Sequence, residues 1–324
     1  MAQVHTVLGP IDPEDLGLTL IHEHVMVDFI GADETGPHRW DRDVVAPTMQ
    51  PYLDALVAQG VMSLVECTPN YLGRDSVLLQ RVSRATGLHI VTNTGLYKEP
   101  HLPAWAFELS PAELAERWIA EWEQGIDETG VRPGFIKIAV NPGPLLPIQQ
   151  TIVRAAAITH LATGLSVVCH TAHAAAAHES LDLVEEEGMD PRHYVVAHAD
   201  QIGPDQIAPE SISNLDAVDL EPAWEAHVAL LRRGAWLEYD SIGWNPYEWH
   251  ERLLLAMLER GYEGQILLSQ DAGWYHVGEP GGGTVQPMIK LLDEFVPRLR
   301  AAGVNEALVE KLLVDNPRAV LSVG

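Results

Sequence analysis

Six residues of the chain could bind metal ions together, and each lies in or at the end of a short apolar run. They are His22 and His24 in LTLIHEHV, Lys137 in GFIKIAV, His170 in LSVVCHT, His198 in HYVVAHAD and Asp271 in QILLSQDA. One histidine at a strand end carries little information. Six polar residues on five such runs indicate one metal site at the mouth of a barrel, where parallel strands end together.

His22 and His24 are two residues apart, and on a strand this spacing puts both imidazoles on the same face. Leu18 and Leu20 have the same parity, so we expect them to point into the barrel with the histidines. Glu23 should point to the opposite face. The alternative is a pair of ordinary core histidines, which the other four residues disfavour.

Lys137 is the unusual member, because a lysine inside a barrel strand is costly unless it is paired or chemically changed. Its amine, carboxylated by carbon dioxide, would be an anionic carbamate that bridges two cations. An ion pair with a carboxylate is the alternative. Asp271 would bind a metal ion and accept a proton from the attacking water, or would merely cap a helix. Two divalent ions about 3.5–4 Å apart, bridged by hydroxide, form a hydrolase site.

The elements that must position these residues follow a regular alternation of apolar runs and helical segments. The runs are Leu18–Val25, Val61–Cys67, Leu88–Gly95, Gly134–Val140, Leu165–Thr171, His193–His198, Ala235–Asp240 and Gln265–Asp271. Most are apolar on both faces, as parallel strands covered on both sides are. The pattern predicts an α/β fold, a (β/α)8 TIM barrel, as a single domain over residues 1–324. A doubly wound sheet is disfavoured, since no GxGxxG follows the first run.

The segments between the runs carry helix signals and long loops. Ser110 and Glu113 form a predicted capping box, and Asn245 with Glu248 repeats that arrangement before another helix. Residues 26–46, 96–110, 199–221 and 272–283 are long for connections that follow a strand. All would lie on the C-terminal face, where barrel enzymes keep their active sites. The acidic segment 199–221 would be either a lid or a solvated loop.

The composition excludes some classes of partner. The formal net charge is −26, which argues against nucleic acids and anionic membranes as partners. Cys67 and Cys169 lie in apolar runs and read as buried free thiols, which fits a reducing compartment. No apolar run is long enough to span a membrane, and the N-terminus has no signal-peptide pattern. We therefore expect a cytoplasmic enzyme.

Taken in order, these motifs resemble the phosphotriesterase family of the amidohydrolase superfamily over essentially the full length of the chain. The matching segments are IHEHV, GFIKIAV, CHT, VAHAD, LLSQDAGW and LLVDNPRAVLS. The resemblance implies a binuclear centre, with His22, His24 and Asp271 on the more buried ion and His170 and His198 on the more exposed one. Carboxylated Lys137 and hydroxide would bridge the ions, which in relatives are Zn, or Mn, Co, Ni or Fe. Relatives are often dimers, so the resemblance also implies a homodimer.

The resemblance gives a less definite substrate. Tyr97 matches a tyrosine of the lactonase branch, whereas Asp240 is followed by Ser241 where that branch tends to have arginine. Trp274 loosely matches the organophosphatase branch, and Trp244 would add an aromatic wall. The alternative is that such aromatic residues only pack loops onto the barrel. An aromatic pocket over two metal ions suits a neutral ester or lactone, so we expect a lactonase or esterase with secondary phosphotriesterase activity.

Three other functions compete with this one. An amide-bond (N-acyl) hydrolase would use the same binuclear site. A mononuclear deaminase lacks the bridging lysine, so Lys137 argues against it, and the intact ligand set argues against a protein that only binds metal. Lys98, Glu99 and His101 lie where they would touch a polar group of the substrate, and Asp200 lies where it would relay protons from Asp271.

Overall fold

The computed structural model describes residues 2–203 and 214–324, and these residues form a (β/α)8 barrel, as predicted. Within them, eight parallel strands alternate with helices. The strands are β1 (Thr19–Val27), β2 (Ser63–Glu66), β3 (His89–Val91 and Asn93–Thr94), β4 (Phe135–Ala139), β5 (Val167–His170), β6 (Tyr194–Ala197), β7 (Trp236–Tyr239) and β8 (Ile266–Leu268). The helices are α1 (Arg42–Ala58), α2 (Ser76–Thr86), α3 (Pro111–Gln124), α4 (Pro147–Thr163), α5 (Ala174–Glu186), α6 (Glu221–Arg232), α7 (Tyr247–Glu259) and α8 (Val296–Ala301).

The strands follow one another around the barrel in chain order. The first part of β3 pairs with β2 and its second part pairs with β4, so β3 joins a sheet of β1 and β2 to a sheet of β4 to β8. Immediately after β8, the Asp271 amide donates to the His22 carbonyl at 3.1 Å, and the His24 amide donates to the Ala272 carbonyl at 2.9 Å. These bonds bring the end of β8 beside β1 and place two predicted site segments side by side.

Apolar side chains pack in two layers. An inner cluster fills the barrel and includes Ile21, Val65, Cys67, Val91, Phe135, Val168, Val195 and Leu267. A larger outer cluster lies between the strands and the surrounding helices, as a parallel sheet covered on its outer face requires. Val4, Leu16, Val320 and Leu321 belong to the inner cluster and close its N-terminal end. The polar site therefore lies at the opposite, C-terminal end.

Strand β1 contains an irregularity that the sequence did not reveal. Leu20 pairs with Leu64 and Glu23 pairs with Glu66, so β1 has one residue more than β2 across this interval. Such a bulge interrupts the alternation of faces. The expectation that Leu20 points inward with the histidines is wrong, because Leu20 packs in the outer layer while Ile21 joins the inner cluster.

The two predicted capping arrangements have different outcomes. The Ser110 side chain accepts from the Glu113 amide, and the Glu113 carboxylate accepts from the Ser110 amide, so the first capping box is confirmed. The prediction for Asn245 is wrong. Helix α7 begins at Tyr247 after Pro246 without a side-chain cap. The side-chain amide of Asn245 donates instead to the Ser241 hydroxyl at 2.8 Å.

The long connections lie on the C-terminal face, as predicted. After β8 the chain forms a further strand, β9 (Gly273–His276), which pairs with the end of β1. The segment 199–221, considered as a lid or a solvated loop, includes residues 204–213, which lie outside the described residues. No described helix has the length and apolarity needed to cross a membrane.

Candidate metal centre

The six predicted residues converge at the C-terminal end of the barrel strands. His22 and His24 come from β1, Lys137 from β4, His170 from β5, His198 follows β6, and Asp271 follows β8. Nε2 of His24 is 3.0 Å from Oδ1 of Asp271, and Nε2 of His22 is 3.1 Å from Nζ of Lys137. The ring centroids of His170 and His198 are 4.5 Å apart. Elements distant in sequence thus form one cluster of potential ligands.

Two buried carboxylates from β7 and the residue that follows it fix the orientation of the histidines. Nδ1 of His22 is 2.8 Å from Glu238 and 2.9 Å from Asp240, and Nδ1 of His198 is 2.7 Å from the other oxygen of Asp240. Each carboxylate accepts a hydrogen bond from Nδ1–H of its histidine, so the ring proton stays on Nδ1 and Nε2 keeps its lone pair. This partner arrangement is the one that orients metal-binding histidines in proteins.

His24 has an equivalent partner. Its Nδ1 is 2.7 Å from the Thr68 hydroxyl, which itself lies 2.6 Å from the Glu66 carboxylate. When Thr68 donates to Glu66, His24 donates to Thr68, and Nε2 of His24 keeps its lone pair. Nε2 then faces Oδ1 of Asp271, which has no hydrogen-bond partner among the described residues despite the 3.0 Å separation. Two electron-pair donors that face each other in this way suit a cation between them.

The charge states of His24, His170 and Asp271 suit a metal. His22 is the exception, because burial alone would lower its pKa but Cys67, Glu238 and Asp240 raise it well above its usual value. Burial lowers the pKa of His24 to about 4, and burial together with His198 lowers the pKa of His170 well below its usual value. Burial alone would raise the pKa of Asp271, but the imidazoles of His24 and His22 hold it below its usual value. Neutral imidazoles and an ionised carboxylate are the forms that bind metal ions.

Lys137 is 1% exposed, and its ammonium has no carboxylate within ion-pair distance in residues 2–203 and 214–324. The sequence left an ion pair open as the alternative to a carbamate, and the described residues do not provide one. Its nearest polar neighbour, Nε2 of His22, is itself a potential metal ligand. An unpaired buried ammonium is strongly disfavoured, so this position fits a chemically modified lysine better than a plain one.

Two sets of residues could each hold a metal ion by proximity alone. One is His22, His24 and Asp271, and the other is His22, His198 and Asp240. The second set meets through the Nδ1 atoms and is fully buried; Asp240 accepts a hydrogen bond from Nδ1 of His198 and lies 2.9 Å from Nδ1 of His22, which is also hydrogen-bonded to Glu238. The Nε2 side therefore fits a metal ion, and the position of Asp240 fits an orienting role.

Backbone strain occurs at two of the six clustered residues. His198 has φ 56° and Asp271 has φ 46°, values that β-strand residues do not adopt and that are uncommon for residues other than glycine. The His198 amide donates to Asp240 at 3.0 Å, and the Asp271 amide donates to the His22 carbonyl, so hydrogen bonds hold both residues in place. Strain of this kind occurs where a site requires a particular side-chain direction.

Aromatic residues border the cluster. Tyr97, Phe29 and Trp274 line a cavity of about 90 Å³ above the six residues, and the Phe29 and Trp274 rings stack with centroids 5.7 Å apart. Trp244 is 55% exposed and lines an adjoining cavity of about 300 Å³ with Ser241 and Trp274. A larger cavity of about 490 Å³ beside α5 contains none of the six residues. The cluster of potential ligands therefore identifies the site better than the volume of a cavity does.

Comparison with known proteins agrees with this geometry. The model of the phosphotriesterase family matches residues 2–321. The chain belongs to the phosphotriesterase family. It is 31% identical to the phosphotriesterase homology protein of Escherichia coli (strain K12), over 93% of this chain and 96% of the relative. It is 26% identical to the aryldialkylphosphatase of Saccharolobus solfataricus, over 96% and 97%, and 25% identical to the N-acetyltaurine hydrolase of Tetraodon nigroviridis, over 99% and 98%.

The phosphotriesterase family consists of binuclear metal enzymes, and the family and these relatives make the chain a hydrolase. Sequence reasoning did not identify Glu238 and Phe29 as site residues. The signal for Glu238 was present, because Glu238 and Asp240 repeat in LEYD the two-residue spacing that identified His22 and His24. Phe29 lies in a loop after β1, where no periodic pattern applies.

Proposed function

We propose that this phosphotriesterase-family hydrolase has a binuclear centre and works as one domain over residues 1–324. His22, His24 and Asp271 would hold the more buried ion, and His170 and His198 the more exposed one. Carboxylated Lys137 would link the two. The observation that carries the proposal is the buried Lys137 amine, 3.1 Å from Nε2 of His22 and without a described carboxylate partner. Zn is the expected metal, with Mn, Co, Ni or Fe as alternatives.

The residues of the chain have distinct tasks in this proposal. The bound ions would supply an acidified water as nucleophile and would polarise the oxygen of the scissile group. Asp271 accepts a proton from the attacking water and passes it outward, for which its carboxylate must be ionised, as its lowered pKa provides. Tyr97, Trp274 and Trp244 hold the substrate, and the aromatic wall excludes bulk water from the cavity.

For the substrate, we propose a carboxylic ester or lactone, with secondary activity on phosphotriesters. Apolar walls above the polar cluster support an uncharged reacting group. The cavity of about 90 Å³ would hold the metal centre beneath the reacting group, while the rest of the substrate would extend into the adjoining cavity of about 300 Å³. The similarity to a protein named aryldialkylphosphatase supports the secondary activity.

Amide hydrolysis is the second candidate, and two observations favour it. One relative is named N-acetyltaurine hydrolase and aligns over 99% of this chain. Ser241 follows Asp240 where the lactonase branch tends to have arginine, and its hydroxyl is 2.7 Å from Oδ2 of Asp200. The same centre would attack an amide carbonyl, so the two candidates differ in the leaving group and not in the ligands.

The remaining parts of the proposal concern the surroundings of the enzyme. Cys67 and Cys169 are buried free thiols, which supports a reducing, cytoplasmic compartment. The excess of negative charge supports a small-molecule substrate over nucleic acid or an anionic membrane. A homodimer is proposed on the family resemblance alone.

The test is the metal content of the purified protein together with its activity. We would express the chain with added Zn or Mn, measure metal per chain by elemental analysis, and assay the same sample on a lactone, paraoxon and N-acetyl amides. We expect about two ions per chain with hydrolysis of at least one class. The matched Asp271→Asn variant should bind substrate but lose at least about 100-fold in kcat. One ion or none, without activity after reconstitution, would contradict the proposal.

A further inference from the structure

Lys98 is a cation beside the proposed centre that the proposed function does not use. It follows Tyr97 after β3, and its half-buried ammonium is 2.9 Å from Nε2 of His170 and 3.4 Å from the Val140 carbonyl. Tyr97 contacts the same histidine, since its hydroxyl is 3.2 Å from Nδ1 of His170. Lys98 therefore places a positive charge directly beside the proposed centre.

The charge around Lys98 is unusual for this chain. The sequence has 46 acidic residues against 20 lysines and arginines, and only four of these cations are lysines. Even so, no carboxylate lies within ion-pair distance of Lys98 in the described part of the chain. A half-buried cation without an anion is costly and implies an anion that arrives from outside.

The contact with His170 cannot persist once that histidine binds a metal ion. If Nε2 of His170 binds the ion, no lone pair remains there for Lys98. If Nδ1 binds the ion, Nε2 carries the ring proton and cannot accept from an ammonium. In either case Lys98 loses its nearest acceptor and keeps, among the described residues, only the Val140 carbonyl at 3.4 Å. The loaded enzyme would thus have an ammonium at the edge of its centre without a carboxylate partner among the described residues.

We propose that Lys98 is a specificity-determining residue that binds an anionic group of the substrate, a carboxylate or a sulfonate close to the scissile bond. This inference rests on the proposed function and refines its substrate class. It replaces the expectation of a wholly neutral substrate with one whose reacting carbonyl is neutral and whose leaving part is charged. The ammonium is a point charge with three donors, so it binds either anion.

The test compares three amides of matched length with metal-loaded enzyme. N-acetyltaurine and N-acetyl-β-alanine carry a sulfonate and a carboxylate, and N-propylacetamide carries neither. We expect Lys98→Met to lower the ratio of kcat/KM for either anionic amide over the neutral one by about 10- to 100-fold, mainly through KM. Lys98→Arg should restore part of the ratio. Lys290→Met is the matched control, since Lys290 is also half-buried and donates to a loop carbonyl, that of Gly243.

Two further measurements make the result decisive. Calorimetric binding of propane-1-sulfonate to the loaded enzyme needs no turnover and should be lost in Lys98→Met but kept in Lys290→Met. Metal per chain should be the same in all variants. An unchanged ratio, or a loss of metal in Lys98→Met, would overturn the proposal, the latter by assigning Lys98 to the centre itself. Absence of hydrolysis by the loaded wild type would refute the proposed function, while sulfonate binding would still test Lys98.

Discussion

Lys137 is the residue at which the proposed centre is most directly testable. Its amine is buried beside His22 and has no described carboxylate partner. We expect Lys137→Ala to lose most of its bound metal and activity, because the bridge is absent, and millimolar propionate to restore part of both. Elemental analysis with and without propionate measures this. Lys290→Ala is the control, and unchanged metal content in Lys137→Ala would exclude the carbamate.

A second prediction concerns Asp240, which touches two of the proposed ligands without facing the metal side. Its two oxygens are 2.7 Å from Nδ1 of His198 and 2.9 Å from Nδ1 of His22. Asp240→Asn replaces one acceptor by a donor, so one imidazole loses the partner that fixes its proton. Metal affinity should fall about 10- to 100-fold in a competition with a chelator. The exposed Asp216→Asn is the control, and wild-type affinity in Asp240→Asn would remove the orienting role.

At the residue scale, the sequence predicted the potential metal ligands better than the residues that hydrogen-bond to them. The six predicted residues meet because parallel strands end at one face, which strand-end position alone predicts. Glu238 on β7 supports His22, and Thr68 after β2 supports His24, and both contacts depend on the barrel register. Register shifts such as the bulge in β1 are not encoded in the apolar pattern, so these contacts required the structure.

Among the elements, α6 and β7 are linked by a histidine whose burial gives a testable pH dependence. Nδ1 of His227 is 3.0 Å from the Tyr239 hydroxyl and Nε2 is 3.1 Å from the Ile202 carbonyl. Burial lowers the pKa of His227 to about 4 from its usual 6.5. Between these values the unfolded chain binds more protons than the folded one. The contribution of His227 to the free energy of unfolding is therefore complete above pH 6.5 and is lost as the pH falls toward 4.

The measurement is urea unfolding of the metal-free protein at pH 7.5 and pH 5.0. The wild type should lose about 2 kcal/mol more between these values than His227→Gln, whose amide still reaches both partners but does not titrate. The exposed His38→Gln should behave like the wild type. Equal losses in wild type and His227→Gln would mean that this histidine does not couple α6 and β7 to pH.

At the same scale, the alternation of strands and helices was predictable and the helix starts only partly so. Ser110 caps α3 because Pro111 and Glu113 complete a local pattern that needs no other element. Asn245 has a similar local sequence, yet its side-chain amide donates to the hydroxyl of Ser241, which lies just after β7. Ser241 is only four residues away, but its own hydroxyl donates to Asp200 at 2.7 Å, and this long-range contact is not visible in a local pattern.

On the scale of the whole molecule, the two ends of the chain meet at the closed side of the barrel. The Gln3 amide donates to the Val323 carbonyl at 2.8 Å, and the Val323 amide donates back at 2.9 Å. The nearby residues Val4 and Leu321 complete the inner cluster. The strained residues His198 and Asp271 lie at the opposite end of the barrel. Apolar packing at the closed end thus stabilises a fold whose polar end contains the strained backbone.

The net charge of −26 predicts how the fold responds to salt. At 10 mM salt, repulsion between carboxylates extends over about 30 Å, whereas at 0.1 M it extends over about 10 Å. Salt also weakens exposed ion pairs such as Arg192 with Asp190, but each is worth at most about 1 kcal/mol. Because acidic residues outnumber basic ones 46 to 20, relief of repulsion should prevail.

We therefore expect the melting temperature of the metal-free protein to rise by about 2–5 °C between 10 mM and 500 mM KCl at pH 7.5. A variant with the exposed residues Glu108, Glu116, Glu225 and Glu259 changed to Gln tests the cause, since none forms an ion pair with another described residue. It should melt higher than the wild type at 10 mM and gain less from salt. A melting temperature that falls with salt would mean that the exposed ion pairs, and not the excess of carboxylates, govern the stability of this barrel.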